Sequence, residues 1–183
     1  MHKQLRLVIL FVLIISSNGH AQKLSIGFGF YDLKAKVGQE EASVSNLGAY
    51  KFQYHSIVQE KFELVLGYTL LIEDIVTGDK AFGPSIGGRY YLFGNNTVEV
   101  AQLSSFSVSS IKRYNPYLYL GFNQRQYQSI KSTYAGFSFG GGVEAGFDSK
   151  KSLFADIQIS SLEGPSEGEA TETSITTGII FNY

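Results

Sequence analysis

Residues 173–183 alternate with a period of two. Ile175, Thr177, Ile179, Phe181 and Tyr183 share one face; Ser174, Thr176, Gly178, Ile180 and Asn182 share the other. Two is the period of a β-strand, whose successive side chains point to opposite sides. Ile180 is the one apolar residue on the polar face, and a lumen-facing place for it has no evident partner. An aromatic end without a frayed polar tail is expected of a closing strand whose end lies at an interface.

The same alternation recurs along the chain. Residues 24–34 set Leu24, Ile26, Phe28 and Phe30 against Ser25, Gly27, Gly29 and Tyr31. Further strands are expected over 46–57, 61–73, 82–93, 116–127, 133–147 and 152–161, with the closing strand as the eighth. Tight turns are expected at Gln59-Glu60, Gly94-Asn95-Asn96 and 148–151. Residues 35–45, 74–81 and 162–172 are polar and read as longer loops. Residues 97–111 alternate only weakly and are assigned to an elaborated connection. A single-chain bacterial barrel with both ends on one side needs an even strand number. Eight fits the strong segments; ten is the alternative.

Residues 1–21 read as a secretory signal peptide. A basic start with Lys3 and Arg6 precedes an apolar run, 7–15, then a small-x-small site at Gly19-His20-Ala21. That run is too short to span a bilayer as a helix. The mature domain is therefore expected over 22–183, with a charge more negative than the −1 of the whole chain. No basic patch argues for a nucleic-acid partner. There is no cysteine, which removes lipid anchoring through a thiol, disulfides and thiolate metal sites. Of three histidines, His2 and His20 lie in the leader, so His55 alone remains and no histidine metal cluster is expected. No cofactor is implied. An exported chain with 12 Tyr, 14 Phe and 20 Gly in alternating segments has the composition of an all-β, antiparallel transmembrane β-barrel.

A sheet that spans lipid must close, because every backbone polar group has to pair internally. About nine to eleven tilted residues cross the hydrocarbon, which the segments match. The short turns fall on the side of both termini and the longer loops on the other. Alternation alone does not say which face is inside, and a secreted soluble barrel is the competing architecture. Here the polar faces are sparse and glycine-rich, while the apolar ones carry the large aromatics. The polar faces place Lys51, Arg89 and Arg125 against Glu63, Glu144 and Asp156. Eight strands leave a lumen just wide enough for side chains, so these six residues are expected to form a paired plug.

With Gly83-Pro84-Ser85-Ile86-Gly87-Gly88-Arg89-Tyr90-Tyr91, Asn115-Pro116-Tyr117-Leu118-Tyr119-Leu120-Gly121, Gly140-Gly141-Gly142-Val143-Glu144-Ala145-Gly146 and the aromatic end, the mature chain resembles the small eight-stranded outer-membrane barrels of Gram-negative bacteria, the OmpA/OmpX/OmpW-like superfamily. The resemblance implies contact with outer-membrane lipids and with the barrel assembly machinery, which in that family reads the last strand. It assigns Phe181 and Tyr183 as the assembly signal. A structural or interaction barrel without catalysis is the leading expectation, with passive transport of small or hydrophobic solutes, as in the OmpW-like subgroup, as the alternative. The loops carry Glu40, Glu41, Glu163, Glu167, Glu169 and Glu172 without Ca²⁺-loop spacing; they read as solvated and open to an extracellular ligand. An acyl hydrolase would need a nucleophile beside a base. His55-Ser56 is the adjacent pair, but neighbours on a strand point apart, and Glu63 shares the face of His55 instead.

Overall fold

The computed structural model describes residues 22–37, 40–72, 80–93, 98–103, 106–111, 114–128, 131–148, 150–165 and 168–183. The expected leader over 1–21, the turn at 94–96, the Thr77-Gly78-Asp79 loop and Glu167 lie outside them. Ten strands follow one another: β1 Gln22–Val37, β2 Glu40–Gln59, β3 Phe62–Ile72, β4 Lys80–Tyr91, β5 Val98–Leu103, β6 Phe106–Ile111, β7 Asn115–Tyr127, β8 Ser132–Gly146, β9 Lys151–Glu163 and β10 Glu169–Asn182. Eight of them close a barrel in the order β1-β10-β9-β8-β7-β4-β3-β2. All eight pairings are antiparallel. The seam joins β1 to β10, from Lys23 opposite Asn182 to Lys36 opposite Glu169. Closure gives each of these eight strands two neighbours and leaves the barrel no edge.

Within 97–111 the described residues, 98–103 and 106–111, therefore form strands that lie outside the barrel. β5 and β6 pair only with each other, as a separate two-stranded sheet, with Val98 opposite Ile111 and Leu103 opposite Phe106. The barrel passes them by: β4 pairs directly with β7, Tyr91 opposite Tyr117, and the Leu92 N–H donates to the Pro116 carbonyl at 3.1 Å.

Two expected loops are largely strand. The ladder of β1 and β2 runs out to Val37 opposite Glu40, so most of 35–45 is paired backbone. β9 and β10 continue to Glu163 opposite Glu169, which shrinks the acidic loop to a turn closed by the Gly164 N–H donating to the Gly168 carbonyl at 2.7 Å. The cause is common to both. Backbone pairing continues past the level where one face meets an apolar medium, and beyond that level both faces can be polar. The alternation fades while the strand persists. The β1–β2 ladder also shifts register between Gly29 and Phe30, because Gly29 faces Ala49 while Phe30 faces Leu47. One residue of β2 is extra there, which is a β-bulge.

Gln22 and Tyr183 lie at one end of the barrel with the tight turn between Gln59 and Phe62 and the turn after Gly146. In the latter, the Phe147 and Asp148 N–H groups donate to the Lys151 carbonyl, and the Lys150 N–H donates to Asp148 Oδ1 at 2.7 Å.

The two faces of the wall differ in chemistry. The outer face carries Ile26, Phe28, Phe30, Phe52, Leu118, Leu120, Phe122, Phe137, Phe139, Ile157 and Ile175, all exposed. The inner face carries charged, amide and hydroxyl side chains, nearly all buried. This is the reverse of a ligand-binding barrel in water, which turns its apolar face inward. Ile180 is buried at 0% exposure, opposite Ser25 and Ser152. Its apolar side chain shares the inner face of β10 with Ser174 and Thr176.

The lumen also holds large rings, and glycines make room for them. A Cβ on Gly27 would come within 2.7 Å of the Phe154 ring, and one on Gly178 would meet the same ring at 2.7 Å. Phe154 is buried over that bare stretch of β1 and β10. The far end is closed by an apolar layer: Tyr31, Ala49, Leu71, Ala81, Tyr127, Tyr134, Leu162 and Ala170, with Leu33 and Ala35 packed against it. Tyr127 and Tyr134 meet edge to face at 5.2 Å between ring centres.

Candidate functional site

The inward-facing side chains form three connected groups along the lumen. The group nearest the chain ends is built from five strands. Lys23 of β1 reaches Glu63 of β3 at 2.7 Å and Glu144 of β8 at 3.3 Å. The Tyr91 hydroxyl of β4 bridges the same two carboxylates, 2.8 Å from Glu144 Oε2 and 3.2 Å from Glu63 Oε2. The Lys23 ammonium also lies 5.2 Å from the centre of the Tyr91 ring. One ammonium and one hydroxyl thus clamp two carboxylates from distant parts of the barrel. β2 supplies His55, whose Nδ1 is 3.2 Å from Glu63 Oε2.

The middle group centres on Asp156 of β9. Lys51 Nζ is 3.3 Å from Oδ1, the Tyr117 hydroxyl donates to Oδ2 at 3.3 Å, and Arg89 Nη2 is 3.7 Å from Oδ2. The Thr176 hydroxyl donates to Oδ1 as well. Arg89 Nη2 also donates to Gln53 Oε1 at 2.8 Å. Its guanidinium carbon lies 4.4 Å from the centre of the Tyr117 ring and 5.6 Å from that of Phe154, so ring faces stabilise the buried cation.

The third group lies under the apolar layer. Arg125 of β7 grips Glu172 of β10 with two points, Nε to Oε2 at 3.0 Å and Nη2 to Oε1 at 3.3 Å. Asn123 Nδ2 donates to Ser160 Oγ at 2.9 Å beside it.

Lys51, Glu63, Arg89, Arg125, Glu144 and Asp156 are all buried and face inward. Their direct ion pairs fall into three sets, and hydrogen bonds through His55, Ser25 and Gln53 link the sets around Glu63 and Asp156. Lys51 and Arg89 share Asp156, Glu63 and Glu144 share Lys23, and Arg125 pairs with Glu172. Lys23, Glu172 and the bridging Tyr91 and Tyr117 escaped the sequence reading. Glu172 was expected in a solvated loop; it is 2% exposed, because β10 begins before it and it shares the inward face of Ser174 and Thr176. That shared parity was the available signal. Lys23 lay just before the expected start of the first strand. With these two included, the buried charged side chains among the described residues are Lys23, Lys51, Arg89 and Arg125 against Glu63, Glu144, Asp156 and Glu172. Cations and carboxylates are equal in number.

His55 has a different partner from the one its sequence neighbour suggested. Ser25 Oγ lies 2.9 Å from His55 Nε2, across the β1–β2 ladder. Ser25, His55 and Glu63 thus stand in the order of a nucleophile, base and acid, at relay distances. Their surroundings oppose that use. Ser25 is 1% exposed and also lies 3.3 Å from Gln53 Oε1, while Glu63 is held by Lys23 and Tyr91. No substrate carbonyl reaches the hydroxyl in this arrangement, and the relay ties β1, β2 and β3 together. Among the described residues no group of three His, Asp or Glu side chains is placed to hold a metal.

No protein-family model matches this sequence, and no curated protein matches it. Solved structures do match in shape. Neisserial surface protein A aligns with a TM-score of 0.57 at 13% identity, over 89% of this chain and 99% of that one. The outer membrane protein OprG from Pseudomonas aeruginosa aligns at 0.52 and 11% identity, over 90% and 96%. The N-terminal β-barrel domain of Pseudomonas aeruginosa OprF aligns at 0.50 and 17% identity, over 87% and 97%. The chain has the fold of the small outer-membrane β-barrels. Identities this low carry the fold and nothing finer. In solved barrels of that fold the strands cross a membrane, and the apolar outer face of this wall is the surface such a placement needs.

Proposed function

We propose that this chain is a structural or interaction barrel of the outer membrane of a Gram-negative bacterium, without catalytic activity and with a closed lumen. The observation that carries this reading is the pairing of charges inside the wall together with the apolar belt outside it. The lumen is crossed at three levels by ion pairs and capped by the Tyr31, Tyr127 and Tyr134 layer. A solute path would have to part all of these at once. Passive passage of small or hydrophobic solutes is the competing reading.

In this account residues 1–21 direct export and are removed. The end with both termini faces the periplasm, which puts the β5–β6 hairpin there and the long β1–β2 hairpin outside. An extracellular ligand would meet that hairpin. Phe181 lies half-buried on the outer face beside Leu24, and Tyr183 is exposed, its N–H donating to the Gln22 carbonyl at 2.9 Å. These two residues at the seam serve as the signal for the assembly machinery, which must recognise the last strand before the seam closes.

Heat-modifiable migration of detergent-extracted membranes tests the placement. A closed barrel that resists detergent runs at a different apparent mass unboiled than boiled. Recovery of the protein in a soluble fraction without detergent contradicts the reading.

A further inference from the structure

The outer wall over β3, β4, β7 and β8 carries a dent near the end that holds the tight turn before Phe62. Gly88 faces outward between Leu64 of β3 and Leu120 of β7. One outward row nearer the turn, Tyr90 stands between Phe62 and Leu118. A Cβ on Gly88 would first meet the Phe62 ring, at 2.7 Å; the nearest backbone atom across the sheet, the Glu63 carbonyl oxygen, lies at 3.5 Å. Gly83 on the same strand differs, because a Cβ there would run into the Gln124 carbonyl. Gly83 lets two backbones approach, whereas Gly88 leaves room on the outside of the wall.

That room is a groove of about 570 Å³, lined by Phe62, Gly88, Tyr90, Leu118, Leu120 and Phe139 among others. None of its lining residues is charged, and only Tyr90 brings it an exposed hydroxyl. Leu118, Leu120 and Phe139 project from the wall, 58%, 66% and 58% exposed. The convex wall of a second barrel would ride on these projections and leave the floor untouched. A flexible chain can lie between them.

We propose that this groove holds one acyl chain of a glycerophospholipid from the periplasmic leaflet. This assignment rests on the membrane placement proposed above, in which the foot of β3 and β4 lies in that leaflet, the one built of such lipids. The acyl chain runs over Gly88, between Leu120, Phe139 and the Phe62 ring. Tyr90, about 6.5–7 Å nearer the periplasm along the strand, donates its hydroxyl hydrogen to a glycerol ester oxygen. Lipid tails are as apolar as this wall, so a chain that leaves bulk lipid for the groove gains no hydrophobic driving force. It gains dispersion contacts on several sides and one hydrogen bond of fixed position. No lining residue reads a head group, so zwitterionic and anionic phospholipids bind alike.

Native mass spectrometry of the folded full chain, released from detergent with equal amounts of phosphatidylethanolamine and phosphatidylglycerol, tests the site. One lipid per chain should be retained, with the two lipids in similar amount. Gly88→Leu fills the groove and should lower that adduct about tenfold. Tyr90→Phe should lower it about fivefold, the effect of one lost hydrogen bond. Phe28→Leu, on β1, should leave it unchanged. In vesicles of the same two lipids, a phospholipid with a photoreactive group in its acyl chain should label the Leu118–Leu120 segment in preference to the segment around Phe28. A run of several lipids with no favoured first adduct, an undiminished adduct on Gly88→Leu, or even labelling around the wall would overturn the site. A retained dimer that excludes lipid would overturn it in favour of a second copy. Recovery of the chain in a soluble fraction without detergent would instead overturn the membrane placement. Unboiled migration reports separately that each variant has folded, and the labelling pattern of the unchanged chain decides the matter even where Gly88→Leu does not fold.

Discussion

Arg125 and Glu172 meet fork to fork inside the barrel, at 3.0 and 3.3 Å, between strands separated by two others. Both side chains are only 2% exposed, so neither charge has water to fall back on. Truncating Glu172 to Ala leaves a buried guanidinium without its partner and should cost about 3–5 kcal/mol. Replacing both residues by Leu should restore most of that, because the pair's attraction and its desolvation nearly offset. Urea unfolding of the reconstituted protein measures the two variants side by side.

The Tyr91 hydroxyl is shared between Glu63 and Glu144. Tyr91→Phe keeps the ring that lies beside the Lys23 ammonium and removes only the shared donor. The expected loss is about 1–3 kcal/mol, the cost of leaving buried acceptors short of a bond. The same urea titration reads it, and Tyr90→Phe, on the exposed face of the same strand, should be close to neutral.

Much of this was legible in the residues. Period two in 173–183 and its repeats specify strands, and large aromatics on one face with charge on the other specify a barrel turned inside out. Lys51 and Asp156 fall on the inward face by parity alone. What parity does not reveal is register. Ser25 and His55 sit on different strands and meet diagonally, so the local pair His55-Ser56 drew attention and Ser25 did not. Glu172 hid in a stretch of Gly, Ser and Glu whose polarity resembles a loop, although backbone pairing there continues. The β5–β6 hairpin was obscure for a related reason. A small sheet outside the barrel has no lipid on one face to enforce clean alternation.

The outer wall separates a membrane barrel from a soluble one. Leu120 is 66% exposed on β7, among Leu118 and Phe122. In lipid, Leu120→Arg should destabilise the barrel by about 2–4 kcal/mol. In water an exposed substitution of this kind stays within about 0.5 kcal/mol. Unfolding in bilayers of defined composition distinguishes these values.

The hairpin of β5 and β6 is not needed to close the wall, since Tyr91 already pairs with Tyr117. Replacing residues 95–113 by a short Gly/Asn turn should preserve heat-modifiable migration and unfolding midpoint. A protein that no longer folds would show that the hairpin supports the barrel.

The central claim is that the lumen is closed by its own charges and by the tyrosine layer. Single-channel recording of the purified full chain in planar bilayers addresses it most directly. The account predicts insertion without steady conductance in potassium chloride. Discrete, long-lived ohmic steps from the folded barrel, absent from the boiled protein, would contradict it.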